Sequence, residues 1–138
     1  MKKIYWDTCI LIYRVEQIAP WAEIIARKFS PQMDESLLFT SHLVRLECRV
    51  LPLREGNLAL LEQFDRFFSL SEVVTVPLDA RVFNLATELR AKNRLKTPDA
   101  LHLAAAISSE CDEFWSNDDR LAKIADNQIK VVNVIANP

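Results

Sequence analysis

The sequence predicts an α/β protein: a three-layer sandwich with a central parallel sheet of about five strands flanked by helices. Short β-prone runs alternate with helical stretches through the whole length, and alternation of that kind feeds parallel strands whose two faces are both covered. About half of the 138 residues are hydrophobic and a quarter charged, the balance of a chain that buries a core. No repeat, linker or shift in composition divides it, so residues 1–138 are expected to form a single domain.

Each element follows from its local pattern. "KKIYW" reads as a strand and "DTCILIYRVE" as the helix after it, carrying Ile10, Leu11 and Val15 behind Asp7 or Thr8 as cap. "PWAEIIARKF" is a helix that starts at Pro20 and keeps Ile24, Ile25 and Phe29 on one side. "SLLFTS" is the second strand. "SHLVRLECRVLPLREG" is a helix closed around Pro52 or, if that proline only kinks it, around Gly56. "NLALLEQFDRFFSL" repeats Leu58, Leu61, Phe64 and Phe68 at helical spacing, and "EVVTVP" is the third strand, ended by Pro77. "DARVFNLATELRAKN" is a helix capped by Asp79. In "TPDALHLAAAISSE", Thr97 suits the cap and Pro98 the first helical position, which puts Asp99 in the first turn, where a negative charge complements the helix dipole. "EFWSN" is the fourth strand, "DDRLAKIADN" a helix and "KVVNVI" the last strand.

Composition removes several classes of function. A single glycine leaves no Gly-rich phosphate loop of the P-loop or dinucleotide type. Cys9, Cys48 and Cys111 are odd in number and never spaced C-x-x-C, so they read as reduced and buried thiols of an intracellular protein. No charged-then-apolar leader opens the chain and no apolar run is long enough to cross a bilayer, which predicts a cytoplasmic protein without a membrane partner. Net charge is −2 with a pI near 5.7, so bulk electrostatics give no nucleic-acid signature. Locally, "RAKNRLK" gathers Arg90, Lys92, Arg94 and Lys96, and Arg45, Arg49 and Arg54 lie along another helix. Such runs are solvated surface unless a site nearby needs phosphates.

In parallel sheets ligands bind beyond the carboxyl ends of the strands, so acids at those junctions are the candidates for chemistry. Asp7 follows the first strand, Asp118 the fourth with Asp119 beside it, Asp99 opens a helix, and Glu47 lies about one and a half turns into another. Asp7 and Asp118 also suit helix caps, Asp119 suits a cap or first-turn acid, and Asp79 a cap only. Glu47 shares its helix face with Leu43, Val44, Val50 and Leu51, a costly place for a carboxylate unless a Lys or Arg of another element, a proton or a metal compensates it. Carboxylates converging at one sheet edge are reconciled by hard divalent cations such as Mg²⁺ or Mn²⁺, which favour oxygen ligands and serve phosphodiester hydrolysis by activating water. That chemistry gives Arg90, Lys92, Arg94 and Lys96 a reason to meet a phosphate backbone. Thr8 and Ser116, which lie beside Asp7 and Asp118, can hydrogen-bond a metal-ligating carboxylate or a metal-bound water. His102, three residues after Asp99, either lines the site or, like His42, is an ordinary core or surface histidine; Trp6, Trp21 and Trp115 read as core or interface.

Taken in order, "IYWDTCILIY", the Glu47 of "LVRLECRVL", "TPDALHLAAAI" and "FWSNDDRLAKIA" resemble the PIN domain, in particular VapC-type toxins of bacterial toxin–antitoxin pairs, from Ile4 to about Ile135. The resemblance implies a metal-dependent endoribonuclease whose acidic quartet falls on Asp7, Glu47, Asp99 and Asp118 and binds Mg²⁺ or Mn²⁺. It further implies an RNA substrate, a small antitoxin that blocks the site, and a homodimer. Thr8 stands in the place of the family's usual Thr or Ser, Ser116 replaces the commoner Thr, and Cys9 stands where a small or amide residue is frequent. Other readings of the same pattern are a PIN nuclease outside a toxin pair, acting on RNA or DNA, a receiver-like signalling module, and a non-catalytic binding module. A receiver is expected to carry paired acids after its first strand and an acceptor Asp after its third, whereas Asp7 stands alone and the third strand runs into "VPLD".

Overall fold

Parallel strands cannot be joined by a tight turn, so every strand of such a sheet needs a crossover, and here the crossovers are helical. The computed structural model describes residues 1–29 and 36–136. In chain order the elements are β1 (Lys3–Trp6), α1 (Thr8–Val15), α2 (Trp21–Lys28), β2 (Leu37–Ser41), α3 (His42–Glu55), α4 (Leu58–Phe68) and β3 (Val73–Val76). They continue with α5 (Ala80–Lys92), α6 (Thr97–Ser108), β4 (Glu113–Ser116), α7 (Arg120–Ala125) and β5 (Lys130–Asn133). The five strands pair in the order β3-β2-β1-β4-β5, all parallel, as the alternation predicts.

Caps set most of the boundaries. The side chains of Ser41, Asn57 and Asp79 accept from the amides of Val44, Leu60 and Val82 at the starts of α3, α4 and α5. Pro52 lies inside α3 without ending it, and the helix closes at Gly56, whose φ of +69° is the left-handed conformation that glycine adopts at least cost. At α6 the cap is Lys96 rather than Thr97, because the Thr97 hydroxyl is engaged by Arg90 and Thr97 itself is already helical. Asp99 stays in the first turn.

Alternation along β1 shows how the layers form. Tyr5 faces one side, stacked on Phe114 of β4 with ring centroids 5.5 Å apart and 6.0 Å from the His102 ring of α6. Trp6 faces the other, against Phe29, Trp115 and Phe67 of α4 at 5.4 to 6.1 Å. Helix α6 is buried all round from Ala100 to Ala106, as a helix without a polar stripe must be, and packs between the sheet and α5. Among the described residues no helix is long and apolar enough to cross a membrane.

One buried acid is structural. Glu113 of β4 accepts from Trp115 Nε1 at 2.8 Å and pairs with Lys2 at 2.7 Å and Lys130 at 3.8 Å. Burial pushes its carboxyl up, but the bonds from Lys2 and Trp115 and the charges of Lys2 and Lys130 outweigh that and hold it below the usual range. A depressed carboxyl stabilises the fold above its unfolded pKa, about 4.3, and the contribution fades as pH falls through the lower folded value. Glu113→Gln is therefore expected to lower stability at pH 6 by on the order of 1 kcal/mol. Thermal unfolding should show that gap closing toward pH 3.

Candidate active site

The strand order reverses at β1. The chain builds β2 and β3 on one side of it and then returns to build β4 and β5 on the other, and the carboxyl ends of β1 and β4 at such a reversal are where parallel sheets bind ligands. Asp7 and Ser116 meet there because Trp6 is in register with Trp115. The Asp7 amide donates to Trp115 O at 2.9 Å, and Ser116 Oγ donates to Asp7 Oδ2 at 2.8 Å. The other carboxylate oxygen, Oδ1, accepts from the Thr8 amide at 2.9 Å, so Asp7 also caps α1. Ser116 Oγ in turn accepts the Asp118 amide at 3.2 Å and so links two of the acids.

Glu47 reaches the same place from α3. Its Oε1 accepts from Thr8 Oγ1 at 2.8 Å and lies 2.5 Å from His102 Nε2. Its partner is thus a histidine and not the Lys or Arg weighed from sequence. Val50 and Leu51 are exposed, so the face they share with Glu47 turns outward beyond it and the carboxylate lies at the margin of the buried surface. His102 is 2% exposed and touches Glu47, so it is a core residue in direct contact with a candidate acid. Its Nδ1 is 2.9 Å from Tyr5 Oη, and Tyr5 Oη is 2.9 Å from Ser41 Oγ. Sequence reasoning missed Tyr5 and Ser41. A hydroxyl-bearing ring flanked by Ile4 and Trp6 in a buried strand was the available signal, since it has to find a polar partner.

The remaining acids differ in their surroundings. Both oxygens of Asp118 are taken by Arg120, with Nη2 at 2.6 Å from Oδ2 and Nε at 3.0 Å from Oδ1. That pairing holds the Asp118 carboxyl below its ordinary range. Asp99, half-buried in the first turn of α6, accepts no hydrogen bond among the described residues, though its charge is felt at Asp7 and Arg120. The Asp7 carboxyl is pushed up, by burial first and also by Asp99, against the pull of His102, Ser116 and Thr8. At Glu47 burial also pushes upward, but His102 and Thr8 prevail and the carboxyl is lowered.

An all-oxygen set of this kind suits a hard divalent cation. Glu47 Oε2 and both oxygens of Asp99 accept nothing from the described residues and are free to serve one. The acids are joined through Thr8 and Ser116 rather than packed together: among the described residues no three His, Cys, Asp or Glu side chains form a ready-made ion site.

The basic run divides in two. Arg90 donates to Leu95 O at 2.8 Å and to Thr97 Oγ1 at 2.9 Å, bracing the turn that leads into Asp99. Lys92, Arg94 and Lys96 are exposed. Lys92 lines a cleft between α5 and α7 with Glu88, Lys123 and Asp126. Arg45 and Arg49 both turn to Asp65 of α4, at 3.5 and 2.9 Å.

A family model described as PIN domain matches residues 4–127. No curated protein shows significant similarity to the chain. Solved structures do. A chain of VapBC2 from Rickettsia felis, crystallised bound to a DNA fragment from the promoter, aligns with a TM-score of 0.77 at 14% identity, over 94% of this chain and 97% of that one. A chain of a toxin–antitoxin complex from Klebsiella pneumoniae gives 0.67 at 23% identity, over 95% and 97%. VapC20 of Mycobacterium tuberculosis, described as a sarcin-ricin loop cleaving toxin, gives 0.69 at 15% identity, over 87% and 93%.

The hold of Arg120 on Asp118 is directly measurable. Arg120→Gln should let the Asp118 carboxyl rise toward the ordinary aspartate value, about 3.9, in a carboxyl-detected NMR titration of the protein without added divalent ions. An unmoved midpoint would show that Arg120 does not perturb this acid.

Proposed function

The chain belongs to the PIN domain family, and on that premise we propose that it is a metal-dependent endoribonuclease serving as the toxin of a type II toxin–antitoxin pair. The observation that carries the reading is the hydrogen-bonded set at the strand-order reversal, in which Thr8 joins Asp7 to Glu47 and Ser116 joins Asp7 to Asp118. Asp7, Glu47, Asp99 and Asp118 would hold Mg²⁺ or Mn²⁺. Such an ion activates water and stabilises the leaving oxygen of a phosphodiester.

The chain's own groups prepare that arrangement. Thr8 and Ser116 fix the two oxygens of Asp7 in place, and Thr8 and His102 hold Glu47. Asp118 becomes available as a ligand when Arg120 leaves it. Arg94 and Lys96 lie on the turn into Asp99, where an RNA backbone entering the site meets positive charge, and Arg90 keeps that turn in shape while Lys92 extends the charge along α5. The solved structures that share the fold include toxin–antitoxin complexes, which supports a small antitoxin protein as partner. A homodimer belongs to the same reading, supported by the exposed Leu46, Val50, Leu51 and Leu53 of α3, an apolar surface of the kind a partner covers. The cytoplasm is its expected location. A receiver-like module is disfavoured, since the acid after β3 is Asp79, committed to capping α5.

The test is incubation of the purified chain, free of any partner, with structured RNA or single-stranded DNA in Mg²⁺, Mn²⁺ or EDTA. Cleavage of RNA is expected only with a divalent ion. Asp7→Asn and Asp99→Asn should each lower it by at least about 100-fold with the circular dichroism spectrum unchanged. Cleavage in EDTA, or a fully active Asp99→Asn protein, contradicts the mechanism, and cleavage of DNA alone points to a PIN nuclease outside a toxin pair.

A further inference from the structure

Glu47 differs from the other acids in how it is held. Both hydrogen bonds it accepts, from Thr8 Oγ1 and His102 Nε2, arrive at one oxygen, Oε1, while Oε2 accepts none from the described residues. Behind His102 stand Tyr5 and Ser41, connected through Nδ1, Oη and Oγ at 2.9 Å each. Tyr5 and Ser41 are 0% exposed, so neither can exchange its partner for bulk water.

Counting hydrogens along this chain fixes its direction. A carboxylate only accepts, so the hydrogen between Glu47 and His102 is on Nε2. At the far end, Ser41 Oγ accepts the Val44 amide as the cap of α3, and the only acceptor within reach of its own hydrogen among the described residues is Tyr5 Oη. Tyr5, having received from Ser41, gives its hydrogen to His102 Nδ1. The opposite direction would leave the Ser41 hydrogen buried without an acceptor, which folded proteins avoid.

We infer that Ser41, Tyr5 and His102 form a one-way hydrogen-bond relay that holds His102 as the Nε2–H tautomer and pins Glu47 by Oε1, so that Oε2 is the oxygen left for a ligand. His102 and Tyr5 are thus positioning residues. Because His102 lies one helical turn from Asp99, the same contact sets the place of the α3 acid relative to the α6 acid. The inference rests on the reading of Glu47 as a site acid, but the tautomer can be read without any reaction.

Two-bond ¹H–¹⁵N spectra of protein labelled on its histidine rings, at pH 7.5 and without added metal, read the tautomer directly. There are two histidines, and exposed His42 serves as the internal reference. His102 is expected to show a protonated Nε2 and an unprotonated, hydrogen-bonded Nδ1, and Tyr5→Phe to shift the Nδ1 resonance. A protonated Nδ1 in the parent overturns the relay. Calorimetric titration with Mn²⁺ in the absence of RNA reads the consequence. His102→Leu should weaken binding about 10- to 100-fold, with His102→Gln, which keeps a donor, recovering part of it. Tyr5→Phe, which preserves volume, carries the test if His102→Leu does not fold, and should weaken binding by about 10-fold. Parent-like Mn²⁺ affinity in a folded Tyr5→Phe protein refutes the positioning role. An Nε2–H tautomer in a protein that cleaves no RNA would count against the nuclease reading alone, and RNA cleavage by a protein whose His102 carries hydrogen on Nδ1 would count against the relay alone.

Discussion

Strand β1 is hydrogen-bonded on both edges, to β2 and to β4, and the remaining architecture is arranged around that constraint. A central parallel strand has no solvent face, so each of its side chains must be settled by a different layer. Trp6 meets the aromatic rings on one side, while Tyr5 meets α6 on the other. The residue after the strand stands where the strand order reverses. Asp7 occupies that position, and a single carboxylate there both caps α1 and receives Ser116 from the neighbouring strand.

Placing acids at one edge stores electrostatic tension, and the structure relieves it differently at each. Burial raises the Asp7 carboxyl, and the two short bonds it accepts oppose that rise. Glu47 is met by a hydroxyl and an imidazole, Asp118 by the guanidinium of Arg120, and Asp99 by the amino-terminal end of α6, where the helix dipole favours negative charge. The relief is most local at the margin and most dependent on tertiary contacts at the centre. Arg120 lies two residues from Asp118, whereas His102 is 55 residues from Glu47.

That gradient also explains what could be read in advance. The five strands and the caps at Asp7 and Asp79 follow from local patterns, and the structure contains them. Thr8 and Ser116 do hydrogen-bond carboxylates, but not the ones beside them: Thr8 Oγ1 donates to Glu47 and Ser116 Oγ to Asp7, partners 39 and 109 residues away that no local pattern names. Pro52 left the end of α3 open between two positions. A proline removes one amide from the helix but does not forbid a final turn, so Gly56 decides. The partner of Glu47 was not legible, because helical spacing places a residue on a face without saying how far the neighbouring helix covers that face. The Tyr5–His102 contact joins residues 97 apart, and no local period reports it.

Helix α6 ties these levels together. From Ala100 to Ala106 its residues are buried, and four of the seven are alanine, which lets the helix axis approach the sheet closely. Close approach is what brings the imidazole of His102 within 2.9 Å of a tyrosine hydroxyl rooted in the central strand. Larger side chains at Ala105 or Ala106, which share a helix face with His102, would lift the helix and carry Asp99 and His102 away from the strand ends together, since both belong to one rigid element. The apolar packing of α6 and the polar geometry at its start are therefore a single property. A hydrophobic helix that opens with an aspartate holds that aspartate, and the imidazole one turn on, in register with the sheet.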